Sequence, residues 1–255
     1  FANLKAQTKI AFQVFVSAIM IYVTDVKLES FGDLFGVSYH FHLGVFSVPI
    51  TIIAVIALTN AINMIDGLDG LAAGIVLLAI TGLICFRLTL EISPIFSFLL
   101  AAAFALFPFI IFNMSPYLKI KIFLGDGGSL FLGYIISWAL IYSAENISNF
   151  TPSYSLWCIA IPLYDFLFVI IKRTLKKQSL ITARKDHIHH FLEDLGLSKK
   201  LILLLTISSG FVMLLAGVFI ENKYPDLSFS AFLILFLFYL FIRLHNNSEK
   251  NVKKF

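Results

Sequence analysis

The chain has 255 residues, 59% of them hydrophobic and 13% charged, with 28 phenylalanines and a mean hydropathy of +0.92. This excludes an ordinary water-soluble domain and points to an integral membrane protein. A net charge of +4 is modest and suggests no nucleic-acid partner, and Cys85 and Cys158 lack metal-ligand spacing and read as buried free thiols.

Crossing the hydrocarbon core takes roughly 20 apolar residues in a helix. About eight such stretches lie at 9–24, 45–62, 70–90, 94–113, 129–144, 154–171, 201–220 and 227–243. They predict an all-α, polytopic membrane protein with one transmembrane domain over 1–245 and a polar, basic tail over 246–255. The first residue is Phe and no signal-peptide pattern precedes the first stretch, so the chain is expected to be truncated or processed at its start. If the spans alternate, Lys27, Arg87 and Lys223 fall on one side and the other 16 of the 19 lysines and arginines on the opposite side. The positive-inside rule makes the basic side cytoplasmic.

The first predicted span leads to a loop over 25–44 with Asp25, Glu29, Asp33, His40 and His42, which reads as a surface loop rather than a metal site. The second span delivers Asn60 and Asn63, then the stretch Asn63-Met-Ile-Asp66-Gly-Leu-Asp69-Gly70. Acids at the edge of a membrane segment are costly and normally face a partner or a watery cavity. Asp66 and Asp69 are three apart, on one side of a helical turn, and a helical run starts at Leu71. Two hard oxygen ligands beside a helix start suit a magnesium-assisted phosphate site. The same eight residues also suit a helix cap and a polar loop.

Pro108 is expected to kink the fourth span and Asn113 to close it, as a helix cap or a site residue. Lys121-Ile-Phe123-Leu-Gly-Asp126-Gly-Gly-Ser129 follows. Its glycines allow a tight turn around Asp126, and Ser129 reads as the N-cap of the fifth span. The acid again stands at a helix start on the basic side. Ile161-Pro-Leu-Tyr-Asp165 puts a carboxylate into the sixth span, either paired with a cation or catalytic. The basic loop 172–200 carries Asp186-His187-Ile188-His189-His190, a spacing suited to bridging several phosphate oxygens.

Together these motifs resemble the polyprenyl-phosphate N-acetylhexosamine-1-phosphate transferases, within them the GlcNAc-1-phosphate branch, in order and over nearly the whole chain. The resemblance implies magnesium-dependent phosphoryl transfer from a UDP-sugar to a polyprenyl phosphate, releasing UMP, at the cytoplasmic face of a bacterial plasma membrane. It makes Asp66, Asp69 and Asp126 catalytic, with Asp126 a Mg²⁺ ligand, Asp66 a second candidate ligand and Mn²⁺ a substitute metal. It makes Asn63, Asn113, Phe123, Arg184, Lys185, His187, His189 and His190 substrate-binding, and suggests a homodimer. Two departures stand out. The family's adjacent Asp-Asp pair would precede Phe1, and its usual acid–arginine pair before the histidines is here Arg184-Lys185-Asp186. The alternatives are a phospho-MurNAc-pentapeptide transferase, a non-catalytic membrane scaffold and, from another class, a secondary transporter, which would hold its acids nearer the midplane.

Overall fold

The polarity of the molecule is reversed relative to a soluble protein. Ser17, Thr51 and Ser129 are fully buried, whereas Phe104, Phe131 and Phe238 are well exposed. Apolar surface on the outside is what a lipid-facing bundle shows, and small polar residues inside let helices approach closely. A computed structural model describes residues 5–37, 40–86, 94–117, 122–179 and 186–252.

The helices are α1 (Ala6–Thr24), α2 (Ser47–Ile65), α3 (Leu71–Phe86), α4 (Pro94–Met114) and α5 (Gly125–Asn146). They continue with α6 (Pro152–Cys158), α7 (Ala160–Leu175), α8 (Ile188–Asp194), α9 (Lys199–Lys223) and α10 (Ser228–Val252). The fold is all-α, and among the described residues extended pairing is limited to a Ser30–His42 bridge in the loop after α1. Among the described residues six helices are long and apolar enough to cross a bilayer, seven if α6 and α7 count as one bent span. Each of the eight predicted segments contains a helix; that of the third, α3, is short for a span among the described residues, and residues 87–90 of its predicted segment lie outside them.

The sixth predicted span is corrected. Instead of running unbroken over 154–171, it breaks at Ile159 and turns by 90°. Pro162 supplies the reason, because in a continuous helix its ring would clash with the carbonyl of Cys158 and leave that carbonyl unbonded. After the break Pro162 lies in the first turn of α7, where a missing N–H costs nothing. At the other end, the Thr151 hydroxyl caps α6 by accepting from Tyr154 N, and Pro152 occupies its first turn. One smaller expectation also changes: Cys85 is exposed, while Cys158 is buried. α4 runs through Pro108, and α10 stays helical to Val252, into the polar tail.

α2 is the axis of the bundle, packed against α5, α7, α1 and α3. α5 meets it at Gly133, where a Cβ would come within 2.8 Å of Thr59 Cα, so only glycine allows this approach. Buried polar groups fix the bent pair: Tyr154 donates to Gly82 O (3.0 Å), Trp157 Nε1 to Ser228 Oγ (3.1 Å) and Tyr164 to Phe232 O (2.6 Å).

Up-and-down packing collects the starts of α1, α3, α5 and α9, and the ends of α2, α4 and α7, at the basic end of the bundle. Arg243 of α10 reaches the same end. Reporter fusions after Tyr117 and Gln178 should therefore report the cytoplasmic side, and fusions after Glu145 and Tyr224 the opposite side. An opposite sign at Tyr117 or Gln178 would break the shared face.

Candidate active site

At the basic end the acidic stretch closes α2 and opens α3. Asp66 ends α2, and Gly70 adopts φ +79°, a left-handed turn that L side chains rarely accept. Gly70 N donates to Asn113 Oδ1 (2.6 Å), and Asn113 Nδ2 donates to Ile122 O (2.7 Å). Asn113 thus fastens the acidic turn to the segment before α5, a positioning role beyond that of a helix cap.

α5 starts at Gly125, four residues earlier than expected, so Ser129 is not its N-cap. The Ser129 hydroxyl bonds back to Gly125 O (2.9 Å) and accepts from Asn63 Nδ2 (2.8 Å). Asn63 Nδ2 also reaches Asp126 Oδ1 (3.4 Å), and Lys9 Nζ of α1 pairs with Asp126 Oδ2. Asp126 remains largely exposed in this pair. Lys9 is a site residue the sequence reading left among the cytoplasmic cations. Only the fold brings it beside a carboxylate 117 residues away.

Asp66, Asp69, Gly70, Asn113, Phe123 and Gly125 line a cavity of about 220 Å³, with Phe109 of α4 as a further wall. Burial, then the charges of Asp126 and Asp69, raise the Asp66 carboxyl to about 6. The three predicted acids are therefore electrostatically coupled. Among the described residues no three His, Cys, Asp or Glu side chains form a complete metal cage.

A histidine layer lies beside the cavity. His189 is buried against Gly67, where a Cβ would come within 2.5 Å of its Cε1. The His187 ring stacks on His189 at 6.0 Å, and the His190 ring is tilted against His189 at 4.1 Å. Burial, then the charges of His190 and His187, push His189 down to about 4, so it is neutral at pH 7 with Nδ1 buried and without a hydrogen-bond partner. His190 Nδ1 pairs with Glu193 Oε2 (3.1 Å).

Asp165 supports this layer from below. Its Oδ2 lies 2.9 Å from His187 Nδ1, and its Oδ1 accepts from Arg243 Nη1 and Tyr239 OH, both at 3.2 Å. Of the two roles open from sequence, the structure shows the paired one. Asp186 is gripped by Lys172 Nζ (2.6 Å) and Arg173 Nε (3.2 Å). Burial pushes its carboxyl up, but the hydrogen bond and charge of Lys172, then those of Arg173, outweigh this and hold it below the ordinary range. Arg184 and Lys185 lie outside the described residues.

The structure thus unites Asp66, Asp69, Asn113 and Phe123 around one opening, with the Asn63–Asp126 pair next to it and His187, His189 and His190 alongside. Carboxylates, imidazoles and a lysine at a membrane edge can hold a polyanion whose charge is shared with a cation.

Known proteins match this chain along most of its length. A family model described as glycosyl transferase family 4 covers residues 1–144. A probable undecaprenyl-phosphate N-acetylglucosaminyl 1-phosphate transferase of Bacillus subtilis (strain 168) is 35% identical over 237 residues, 92% of this chain and 65% of its own. Undecaprenyl-phosphate alpha-N-acetylglucosaminyl 1-phosphate transferases of Escherichia coli (strain K12) and Yersinia pestis are each 30% identical. These matches cover 94% and 89% of this chain, and 65% and 63% of the relatives. The chain therefore spans just under two thirds of the length of these relatives.

Proposed function

The chain belongs to glycosyl transferase family 4, and from that premise we propose that its protein transfers a HexNAc-1-phosphate from a UDP-sugar to a polyprenyl phosphate. GlcNAc-1-phosphate is the favoured group and undecaprenyl phosphate the favoured acceptor, in keeping with the names of the relatives. An acceptor phosphate oxygen bonds to the sugar-linked phosphorus, the bond to the bridging diphosphate oxygen breaks, and UMP leaves. The observation that carries this reading is the convergence of Asp66 and Asp69 on one cavity, with Asp126 near enough for its charge to raise the Asp66 carboxyl, beside the histidine layer. A transporter would hold its acids nearer the midplane, whereas here they gather at one end of the bundle.

The residues fit a divalent cation. Asp66 carries a raised affinity for a proton because burial and neighbouring acids disfavour its charge, and a metal would relieve that charge accumulation. Mg²⁺ is usually bound by one or two carboxylates together with substrate phosphates and waters, so an incomplete protein cage suits it. Asp126 would hold it, with Asp66 as the second candidate and Mn²⁺ as a substitute. When bound, the metal supplies charge neutralisation at the diphosphate.

The chain's own residues do the positioning. Asn63 sets the Asp126 carboxylate, and Lys9 is placed to exchange it for a phosphate oxygen. His187, His189 and His190 line the side from which phosphate oxygens would be held, with Arg184 and Lys185 as further cations. The exposed Phe123 ring offers a stacking face for a base. Phosphoryl transfer needs little more than this alignment and charge balance. The site at the basic end lets a lipid phosphate enter laterally from the cytoplasmic leaflet of a bacterial plasma membrane.

The test is UMP release from UDP-GlcNAc and undecaprenyl phosphate, with the protein in its native membrane. Release should require both substrates and Mg²⁺, and UDP-MurNAc-pentapeptide should not replace the donor. Below about pH 6 Asp66 is protonated and offers the metal no charge, so the Mg²⁺ requirement should rise as pH falls from 7 to 5. Excess Mg²⁺ should move the acid limb to lower pH. No UMP in the presence of both substrates would remove the proposal.

A further inference from the structure

We infer that Arg243, in the last helix, is the positioning residue that sets the histidine layer of the site. This rests on the transferase reading above. The sequence offers no sign of it, because Arg243 stands at the border between an apolar span and a polar tail. In the structure it is 3% exposed. Its guanidinium lies over two rings, 4.2 Å from the Phe168 centroid in α7 and 4.8 Å from that of Phe191 in α8.

Each end of the fork then meets a different part of the site's support. Nη1 donates to Asp165 Oδ1 (3.2 Å) and to Tyr239 OH (2.5 Å), and Nη2 donates to the backbone carbonyl of Asp186 (2.9 Å). Asp165 spends its other oxygen on His187 Nδ1. A carboxylate on Nδ1 fixes which way the ring turns and leaves Nε2 as the nitrogen open to a further partner. The His187 ring in turn stacks on His189, which lies against Gly67 of the acidic stretch. One planar cation thus links α10, α7 and the residues that begin the histidine segment.

Arginine is suited to this and lysine is not. A flat guanidinium can lie over two aromatic rings while its fork serves a carboxylate and a carbonyl, whereas an ammonium is a point charge on a flexible stem. Asp165 is buried, so losing its cationic partner leaves a carboxylate with weaker reason to hold one rotamer. A displacement of about 1 Å in a group that holds a reacting phosphate is enough to reduce transfer. Arg243 is too deeply buried in this stack to serve as a substrate ligand here, so its effect passes through Asp165 and His187.

The test compares the parent protein with Arg243→Met and Arg243→Lys in native membranes. UMP release is followed against UDP-GlcNAc, with and without millimolar guanidinium. Diethylpyrocarbonate labelling of His187 and His189 is read by mass spectrometry, with His42 in the loop after α1 as the internal control. Arg243→Met should lower kcat by roughly 10–100-fold, the range typical when an orienting partner of a site histidine is removed. The donor KM should stay within about 3-fold, as expected when transition-state rather than uniform binding is lost. Guanidinium should restore at least part of the rate in Arg243→Met and do nothing to the parent. Arg243→Lys should recover less than guanidinium does. His187 and His189 should label several-fold faster in Arg243→Met while His42 is unchanged. A parent-like kcat in Arg243→Met would overturn the inference, as would a loss with no rescue and an unchanged labelling pattern. If the parent itself releases no UMP, the proposed function fails, and the labelling pattern still decides the role of Arg243.

Discussion

Asp126→Asn should lower UMP release by about 10²–10³ and flatten its dependence on Mg²⁺, while the protein still inserts and folds. The substitution keeps the shape and one oxygen but removes the charge. Removing a single electrostatic element aimed at a developing charge typically costs that much in rate, and a direct metal ligand can cost more. The fold should survive because the Asp126 side chain is largely exposed and its pairing with Lys9 lies at the surface of the bundle. Surface ion pairs contribute little to stability. Asp69→Asn is the informative contrast. Its carboxylate lines the same cavity, and if it accepts hydrogen bonds from the nucleotide, its loss weakens donor binding by roughly 1.5–3 kcal/mol. Raised Mg²⁺ should partly rescue a weakened metal site but not a lost nucleotide contact. The assay is UMP release over a grid of Mg²⁺ and UDP-GlcNAc for each variant. Near-normal turnover of Asp126→Asn with an unchanged Mg²⁺ curve would make the Gly-Asp-Gly-Gly-Ser turn structural.

The sequence carried the chemistry of the site further than its architecture. Asp66, Asp69 and Asp126 stand out because acids at the ends of apolar runs need a reason, and the even alternation of spans already set them at one end. The eight apolar segments were legible for the same reason, since hydropathy marks residues that must avoid water. It does not mark where a helix bends. The break at Ile159 depends on which carbonyl Pro162 would strike, and the run reads as equally apolar on both sides. The start of α5 was misplaced because Ser129 has the chemistry of an N-cap. Its hydroxyl is instead used by Asn63, 66 residues away.

Lys9, Asp165 and Arg243 show the larger limit. Each is an ionisable residue whose role is set by a partner distant in sequence, 117 residues from Lys9 to Asp126 and 78 from Asp165 to Arg243. Periodicity and spacing describe neighbours along one helix, so they could say that Asp165 needs a cation without saying which. The histidines were identified from local spacing, but their burial was not. His189 has a ring sunk against Gly67 and is neutral at pH 7, while the half-buried His190 pairs with Glu193. That arrangement turns a glycine of the acidic stretch into a contact surface between two motifs that are more than 100 residues apart.

Gly67→Ala should therefore cost about 10²-fold in transfer although it adds one methyl group and touches no charge. A Cβ at position 67 would come within 2.5 Å of His189 Cε1 and 2.8 Å of Cδ2, far inside ordinary contact. His189 cannot swing away cheaply, because His187 stacks on it at 6.0 Å, the His190 ring lies 4.1 Å away and the His189 ring is buried. The clash is relieved only by moving the histidine segment as a body or by shifting the turn that carries Asp66 and Asp69. Either movement misaligns the groups around the cavity by about an ångström, which is the scale at which positioning loses two orders of magnitude. The loss should appear in kcat more than in insertion or helix content, since the residues around Gly67 are held by Gly70 and Asn113 rather than by the glycine itself. A double-mutant cycle with His189→Ala separates this explanation from a direct role of Gly67 against substrate. If the ring is the obstacle, Gly67→Ala should add little to the loss already caused by His189→Ala, a strongly non-additive cycle. Additive losses would mean that position 67 must stay bare for the substrate, and that its contact with His189 does not carry the effect.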